Sequence, residues 1–382
     1  MEFGVFFELS VPRPFTRESE SAAYFDALAQ ATLADELGFD NAWVVEHHFL
    51  EEYSHSSAPE LFLTALAMQT ERIGLCHGAV VCVPGVNHPV RIAERAAALD
   101  ILSRGRLQLG TARSSTWTEL GGFCNEPDIT KVSWDEYVQA IPRMWTQDSF
   151  SFDGVSFRMP ARNVIPKPVQ KPHPPMWVAV TSPGTELEAA KRGLGCLGVS
   201  AQSFAAQERT VEKYREVIAN CDPVGEVVTD KVHSMNYLFC HEDIGYASKV
   251  GRNFINRFSF LNTNQLWSRE VFPSSAYRSL GNLAPGKSPG RSDPARSRPE
   301  DDPAKVKPLP EGVTIGDPEH IIAAIRKWES AGVDGINFLL SCVDAIPHEE
   351  VLESLRLFAK EVMPAFGKGR DDLKVGVKLE VA

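Results

Sequence analysis

The sequence predicts an α/β protein closed into a (β/α)8 TIM barrel with insertions, and three observations carry that expectation. Eight short, apolar, strand-like segments recur along the 382 residues, and stretches of helical periodicity alternate with them. No hairpin-rich interval breaks the series, so the sheet is expected to be parallel. Eight alternations favour one closed barrel over an open doubly wound sheet, the alternative that pattern alone leaves open. Residues able to do chemistry gather at the predicted strand ends, where barrel enzymes assemble their sites.

Residues 3–7 (Phe-Gly-Val-Phe-Phe) are apolar and flanked by polar positions, as in a buried strand. Residues 21–38 follow with Ala23, Leu28, Leu33, Ala34 and Leu37 at helical spacing, and Gly38 stands where a C-cap glycine belongs. Residues 41–45 form the second strand and 59–70 its helix. The third strand, 73–83, stops at Pro84-Gly85, and Pro89 opens a helix to residue 102 at a first-turn position. The fourth strand is 106–110, with a helix over 134–145 that Pro142 kinks. Pro174-Pro175 introduces the fifth strand, 176–180, and a helix over 184–193. The sixth is 197–200, followed by a helix over 204–219, and the seventh is 233–240. Asp317 as N-cap and Pro318 at the first helical position start a helix that ends at Gly332. The eighth strand is 335–340, and a last helix covers 349–358.

Two stretches interrupt this rhythm. Residues 147–171 contain Ser151-Phe-Asp-Gly-Val-Ser-Phe157, a hairpin signal with Asp-Gly at the turn. Residues 243–312 hold a helix over 246–258 and then a Pro-, Ser-, Arg- and Asp-rich run, 281–310, too poor in apolar residues to offset its ordering entropy. The chain, 1–382, is therefore expected to be a single barrel domain. Its low-complexity, mobile insertion at about 243–312 would lie on the C-terminal face after the seventh strand.

Composition narrows the function. With 43% hydrophobic and 23% charged residues the chain can bury a large core, and a net charge of −11 spread along it leaves no basic stripe for nucleic acid. No basic-then-apolar leader opens the sequence, and no apolar run reaches the ~18 residues that span a bilayer. Cys76, Cys82, Cys124, Cys196, Cys221, Cys240 and Cys342 are odd in number and never paired as Cys-x-x-Cys, the usage of reduced thiols. A cytoplasmic enzyme acting on a small molecule, with no membrane or nucleic-acid partner, is the expectation.

The second strand ends in Glu46-His47-His48-Phe49, the fourth in Thr111-Ala112-Arg113-Ser114-Ser115, and the fifth in Thr181-Ser182-Pro183-Gly184-Thr185. In a barrel these would share one mouth. A guanidinium that forks onto oxyanions and hydroxyls at a helix start make a phosphate pocket. By itself Arg113 would more often be a surface ion-pair residue, and Ser182 and Thr185 helix caps. Capping and phosphate binding, however, use the same groups. His47-His48 with Glu46 and His55 does not make a metal site, because neighbours on a strand face opposite ways. Gly193-Leu-Gly-Cys-Leu-Gly198 matches Gly-x-Gly-x-x-Gly but closes a helix instead of opening one, so it reads as a cap and turn. Trp43, Trp134, Trp145, Trp177 and Trp328 are expected in the core, while Trp117, in the loop after the fourth strand, is a candidate substrate contact.

Several pieces together resemble the bacterial luciferase-like flavin monooxygenases over almost the whole chain. They are Met1 to Phe7, Gly38-Phe-Asp-Asn-Ala-Trp-Val-Val-Glu-His-His-Phe49, Gly78-Ala-Val-Val-Cys-Val-Pro84 with His88-Pro89, Ser103-Arg-Gly-Arg-Leu-Gln-Leu-Gly110, Pro166 to Pro172 leading into Pro175-Met-Trp-Val-Ala-Val180, and Gly316-Asp-Pro-Glu319. The resemblance implies reduced FMN bound in the barrel mouth, supplied by a separate flavin reductase to a homodimer, and used with O2 to oxygenate a small organic substrate. It places His47 at the reactive face of the flavin as catalytic residue, Arg113 on the phosphate, and Ser182 and Thr185, with Thr181 beside them, at the phosphate-binding hydroxyl positions. Ala79-Val80 falls where the family often carries a non-proline cis peptide under the flavin ring. The sequence departs from the pattern at Ser114, where glycine is frequent, at Pro183 between the hydroxyls, and at a second basic phosphate ligand, for which Lys131 is the nearest residue. A deazaflavin-dependent hydride-transfer enzyme and a non-catalytic flavin-binding protein are the competing readings.

Overall fold

Parallel strands covered on both faces are expected to be buried without alternation, and the first strands follow this almost from end to end. In the computed structural model, which describes residues 1–114, 116–182, 184–198, 203–262 and 309–367, β1 (Glu2–Phe7) is buried from its second residue on. β2 (Asn41–Val44) is buried throughout, and β3 (Gly74–Val81) from its second residue. β4 (Leu107–Ala112) follows. β5 (Phe150–Asp153) and β6 (Arg158–Arg162) pair antiparallel as the hairpin that Asp153-Gly154 announced. β7 (Met176–Ala179), β8 (Gly195–Leu197), β9 (Val232–Cys240), β10 (Thr314–Gly316) and β11 (Gly335–Leu339) complete the set.

The parallel order β9-β11-β1-β2-β3-β4-β7-β8 closes on itself where Cys196 and Leu197 of β8 register with Val232 and His233 of β9. The eight strands therefore form a barrel and not an open sheet. β10 lies outside the ring, paired to the far end of β9. Around the ring stand α1 (Arg17–Leu37), α2 (Pro59–Ala67), α3 (Pro89–Leu102), α4 (Trp117–Gly122), α5 (Thr130–Thr146), α6 (Thr185–Lys191), α7 (Phe204–Ile218), α8 (Ile244–Leu261), α9 (Pro318–Ser330) and α10 (His348–Leu357).

Local chemistry fixes the ends of these helices. Gly38 closes α1 at φ 90°, a left-handed conformation that costs a residue without Cβ little. Asp317 accepts the His320 N–H at 2.8 Å and Pro318 begins α9. Gly193 takes φ 69° after α6, so the Gly-x-Gly-x-x-Gly run is a turn into β8. Inside the barrel Trp43 and Trp177 meet edge to face at 5.3 Å. Trp145 donates to the Ala93 carbonyl at 2.9 Å and so locks α5 onto α3.

Three expectations are corrected. The sixth strand lies at Gly195–Leu197, earlier than 197–200, because its hydrogen bonds to β9 begin at Cys196, whose N–H donates to Lys231 O at 2.9 Å. Residues 199–200 lie outside the described residues. Trp117 is not in a loop. It starts α4 and packs on Val81, Val83 and Leu120, a small apolar cluster beside the ends of β3 and β4. The helix expected at 134–145 runs over Thr130–Thr146 and carries Pro142 inside it. The expected helix in 246–258 is the core of α8, while the run 281–310 lies outside the described residues but for its last two.

Candidate active site

The ends of β1, β2, β3, β4 and β7 are neighbours on the ring, so the residues just beyond them share one end of the barrel. Glu46, first after Val45, is buried. Its Oε2 accepts the Val81 N–H at 2.8 Å, and its Oε1 accepts from Asn87 Nδ2 at 2.8 Å and faces His48 Nε2 at 3.2 Å. One carboxylate thus ties the end of β2 to that of β3. The chain from His47 to Ser56 folds back on itself, with His47 N–H donating to Ser56 O and Ser56 Oγ to Val45 O.

These bonds leave the His47 ring, 17% exposed, between two carboxylates. Its Nδ1 is 2.9 Å from Glu119 Oε1, and its Nε2 is 3.7 Å from Glu8 Oε2. Glu119, on α4, also accepts the His48 N–H at 3.0 Å and the Ser114 hydroxyl at 2.6 Å. Burial by itself would lower the His47 value. Glu119 at Nδ1, with Glu8 and Glu46 behind it, overrides that effect and pushes the imidazole up to about 9. Burial would raise Glu119, but His47, Ser114 and the His48 amide hold it below the ordinary carboxylate range. Burial pushes Glu8 above that range, against the opposing influence of His47 and of the Tyr53 hydroxyl.

This shift has a consequence for stability. A histidine raised from 6.5 to about 9 on folding stabilises the native state fully below pH 6.5, and that contribution fades as pH rises through about 9. Urea midpoints should therefore fall over this window, on the order of 3 kcal/mol at most, and the fall should be absent in His47→Gln. Equal slopes in the two proteins would show that His47 is not the group held charged.

Arg113 directly follows β4 and is half-buried. Ser114, next to it, has φ 66°, which explains why this position suits glycine. Here the serine hydroxyl reaches Glu119, so the Arg113 turn and His47 are joined through one carboxylate. Beyond β7, Thr181 is exposed, and the Ser182 and Thr185 hydroxyls stand 3.0 Å apart at the start of α6. The Gly184 N–H there is held by Glu186 Oε2 at 2.8 Å. Ser182 and Thr185 are linked to the rest by strand adjacency, β7 lying against β4. Lys131 is exposed in the first turn of α5, and Pro183 lies outside the described residues. On β3, Ala79 and Val80 are buried, but the non-proline cis bond is Gly78–Ala79, one residue earlier than expected. β3 leaves its register with β4 between His77 and Val80, and the bond falls inside that shift.

Sequence reasoning missed Glu8, Tyr53 and Glu119. A signal for Glu119 was present, since Thr116-Trp-Thr-Glu119 has the Thr-x-x-Glu pattern of a capping box. Thr116 does cap α4, accepting the Thr118 N–H at 3.1 Å, but Glu119 turns to His47 instead. Among the described residues no group of His, Cys, Asp or Glu is arranged to hold a metal, and no helix is long and apolar enough to cross a membrane.

The family model for luciferase-like monooxygenase matches residues 1–335. The chain is 24% identical over 378 residues to the oxygenase component of flavin-dependent trigonelline monooxygenase from Acinetobacter baylyi, covering 97% of each. It is 34% identical over 177 residues to the protein y4wF of Sinorhizobium fredii, spanning 46% of this chain and 51% of that one. Among solved structures, monooxygenase RslO1 from Streptomyces bottropensis superposes with a TM-score of 0.76 at 26% identity, over 96% of this chain and all of that one. The coenzyme F420-dependent tetrahydromethanopterin reductase of Methanopyrus kandleri shares the fold, with a TM-score of 0.64 at 17% identity over 96% of this chain and 99% of that one. With a closed eight-stranded barrel and a family match over nearly its whole length, this chain belongs to the luciferase-like monooxygenase family.

Proposed function

We propose that this chain is the oxygenase of a two-component flavin monooxygenase, a homodimer that receives reduced FMN from a separate reductase and uses O2 to oxygenate a small organic molecule. The observation that carries the reading is an imidazole fixed between two buried carboxylates at the barrel's C-terminal end, joined through Glu119 to the turn that bears Arg113. The donor set fits the cofactor. A guanidinium and two hydroxyls 3.0 Å apart suit a phosphate monoester, and the buried stretch at Ala79 and Val80 offers an apolar floor for a flat ring. Arg113, Ser182 and Thr185, with Thr181 beside them, would hold the phosphate, and Ala79 and Val80 would lie under the ring.

Bound reduced flavin supplies the electrons with which O2 is activated. The protein's part is to orient it, exclude water and move protons. His47 is the group that moves them, because its Nδ1 is committed to Glu119 and its Nε2 remains for exchange.

Reduced FMN should bind anaerobically, and Arg113→Ala should weaken it by roughly 10- to 100-fold, the worth of a charge-assisted hydrogen bond. Riboflavin, which lacks the phosphate, should bind both proteins alike. Equal losses for the two ligands would remove Arg113 from the phosphate site. Binding of a deazaflavin cofactor in place of FMN, with anaerobic turnover, would favour the hydride-transfer reading.

A further inference from the structure

Glu8 is the first residue beyond β1 and is 6% exposed. Its Oε1 accepts the Tyr53 hydroxyl at 3.0 Å. Its Oε2 is buried, has no hydrogen-bond partner, and lies 3.7 Å from His47 Nε2. An orphaned carboxylate oxygen in the interior is costly, so its persistence calls for a reason. A purely structural anchor for Tyr53 would need only the other oxygen.

The opposite side of the ring settles which nitrogen is exchangeable. Glu119 receives hydrogen bonds from Ser114 and the His48 amide, both of which favour its ionised form. A carboxylate 2.9 Å from Nδ1 fixes the hydrogen there. Nε2 is then the nitrogen that gains and loses a proton, and Glu8 Oε2 is the acidic oxygen beside it.

We propose that Glu8 is the proton partner of His47, and that the two form an exchanging pair whose tautomer Glu119 sets. In the step, the pair closes from 3.7 Å to hydrogen-bond distance, and the Nε2–H bond breaks as an O–H bond forms on Glu8 Oε2. An imidazolium–carboxylate pair becomes a neutral imidazole–carboxylic acid pair with no change in net charge, and the reverse step restores it. The inference rests on the reading that His47 moves protons for a bound flavin. It also answers a difficulty in that reading, since an imidazole held charged to about pH 9 is a poor base near neutrality. Passing its proton to Glu8 frees the Nε2 lone pair without recourse to solvent. Burial, which raises Glu8, brings the two groups closer in proton affinity. The titratable groups facing the pair are Glu46 after β2, Tyr53 in the following loop, Glu119 on α4 and Cys342 after β11.

The test uses the full chain with labelled histidine and glutamate, and the substitutions Glu8→Gln and Tyr53→Phe. In the unsubstituted protein the His47 ring and Glu8 carboxyl resonances should move together through shared transitions. In Glu8→Gln the proton affinity of His47 should fall at least tenfold. In Tyr53→Phe, which keeps the carboxylate but removes a bond that favours its charge, it should fall less than in Glu8→Gln. Air oxidation of bound reduced FMN should be nearly flat between pH 6.5 and about 9 in the unsubstituted chain and in Tyr53→Phe. In Glu8→Gln it should climb with pH up to the new His47 value, because the base form must then arise by loss of a proton to water. Independent titration of the two groups, or the same flat profile in Glu8→Gln, would overturn the proposal. Failure of the unsubstituted chain to bind reduced FMN would overturn the flavin reading instead and leave the titration result standing.

Discussion

Replacing His47 with asparagine is expected to lower product formed per second by roughly 10²- to 10⁴-fold, the usual contribution of a positioned acid–base group. The affinity for reduced FMN should stay within a few-fold, because the proposed phosphate donors Arg113, Ser182 and Thr185 follow β4 and β7 and are untouched. Asparagine keeps a side chain of similar reach beside Glu119 but carries no exchangeable ring proton. The substitution also leaves Glu8 and Glu119 facing each other without a cation. Glu119 keeps its bonds from Ser114 and the His48 amide, so Glu8 is the one expected to take up a proton. The measurement is product formed per second at saturating reduced flavin, with flavin binding and urea unfolding run alongside. If that rate is unchanged while the protein is folded, His47 does not move the proton and the functional reading fails with it.

Gly110→Ala should be the most damaging single methyl in the barrel. A Cβ at Gly110 would lie 2.1 Å from the His77 carbonyl oxygen and 3.2 Å from its carbon, both backbone atoms that cannot swing away. β3 is out of register with β4 from His77 to Val80, and Gly110 is the residue against which it leans. Overpacking a well-filled core typically costs about 1–3 kcal/mol, and a clash with backbone belongs at or beyond the upper end. The denaturation midpoint should drop accordingly. Reduced FMN binding should weaken in the same variant, because Ala79 and Val80 move with the His77 segment. Unchanged stability would mean that β3 can slide along β4 at this point.

Much of this was legible in the linear order of residues. The parallel barrel could be read because strands buried on both faces leave continuous apolar runs, and because Gly38, Pro89, Asp317 and Pro318 mark helix ends through purely local backbone chemistry. Arg113, Ser182 and His47 could be singled out because each lies within three residues of the end of such a run. The β8 boundary was misread since strand ends are set by the hydrogen bonds of the neighbour, here β9, and not by the strand's own residues. The same holds for Trp117, whose helix of six residues is too short to show a period.

The sequence by itself determined the periodicities, the caps and turns, and the residue types at the strand ends, since these depend on contacts within a few positions along the chain. Only the tertiary structure decided that the sheet closes and that Glu119, 72 residues beyond His47, leaves its capping position for the imidazole. It alone also placed Glu8 on the other side of that ring. The physical reason is that a carboxylate's proton affinity and a histidine's charge are set by whatever lies within a few ångströms. In a barrel those neighbours come from different strands, at separations along the chain that no local pattern records.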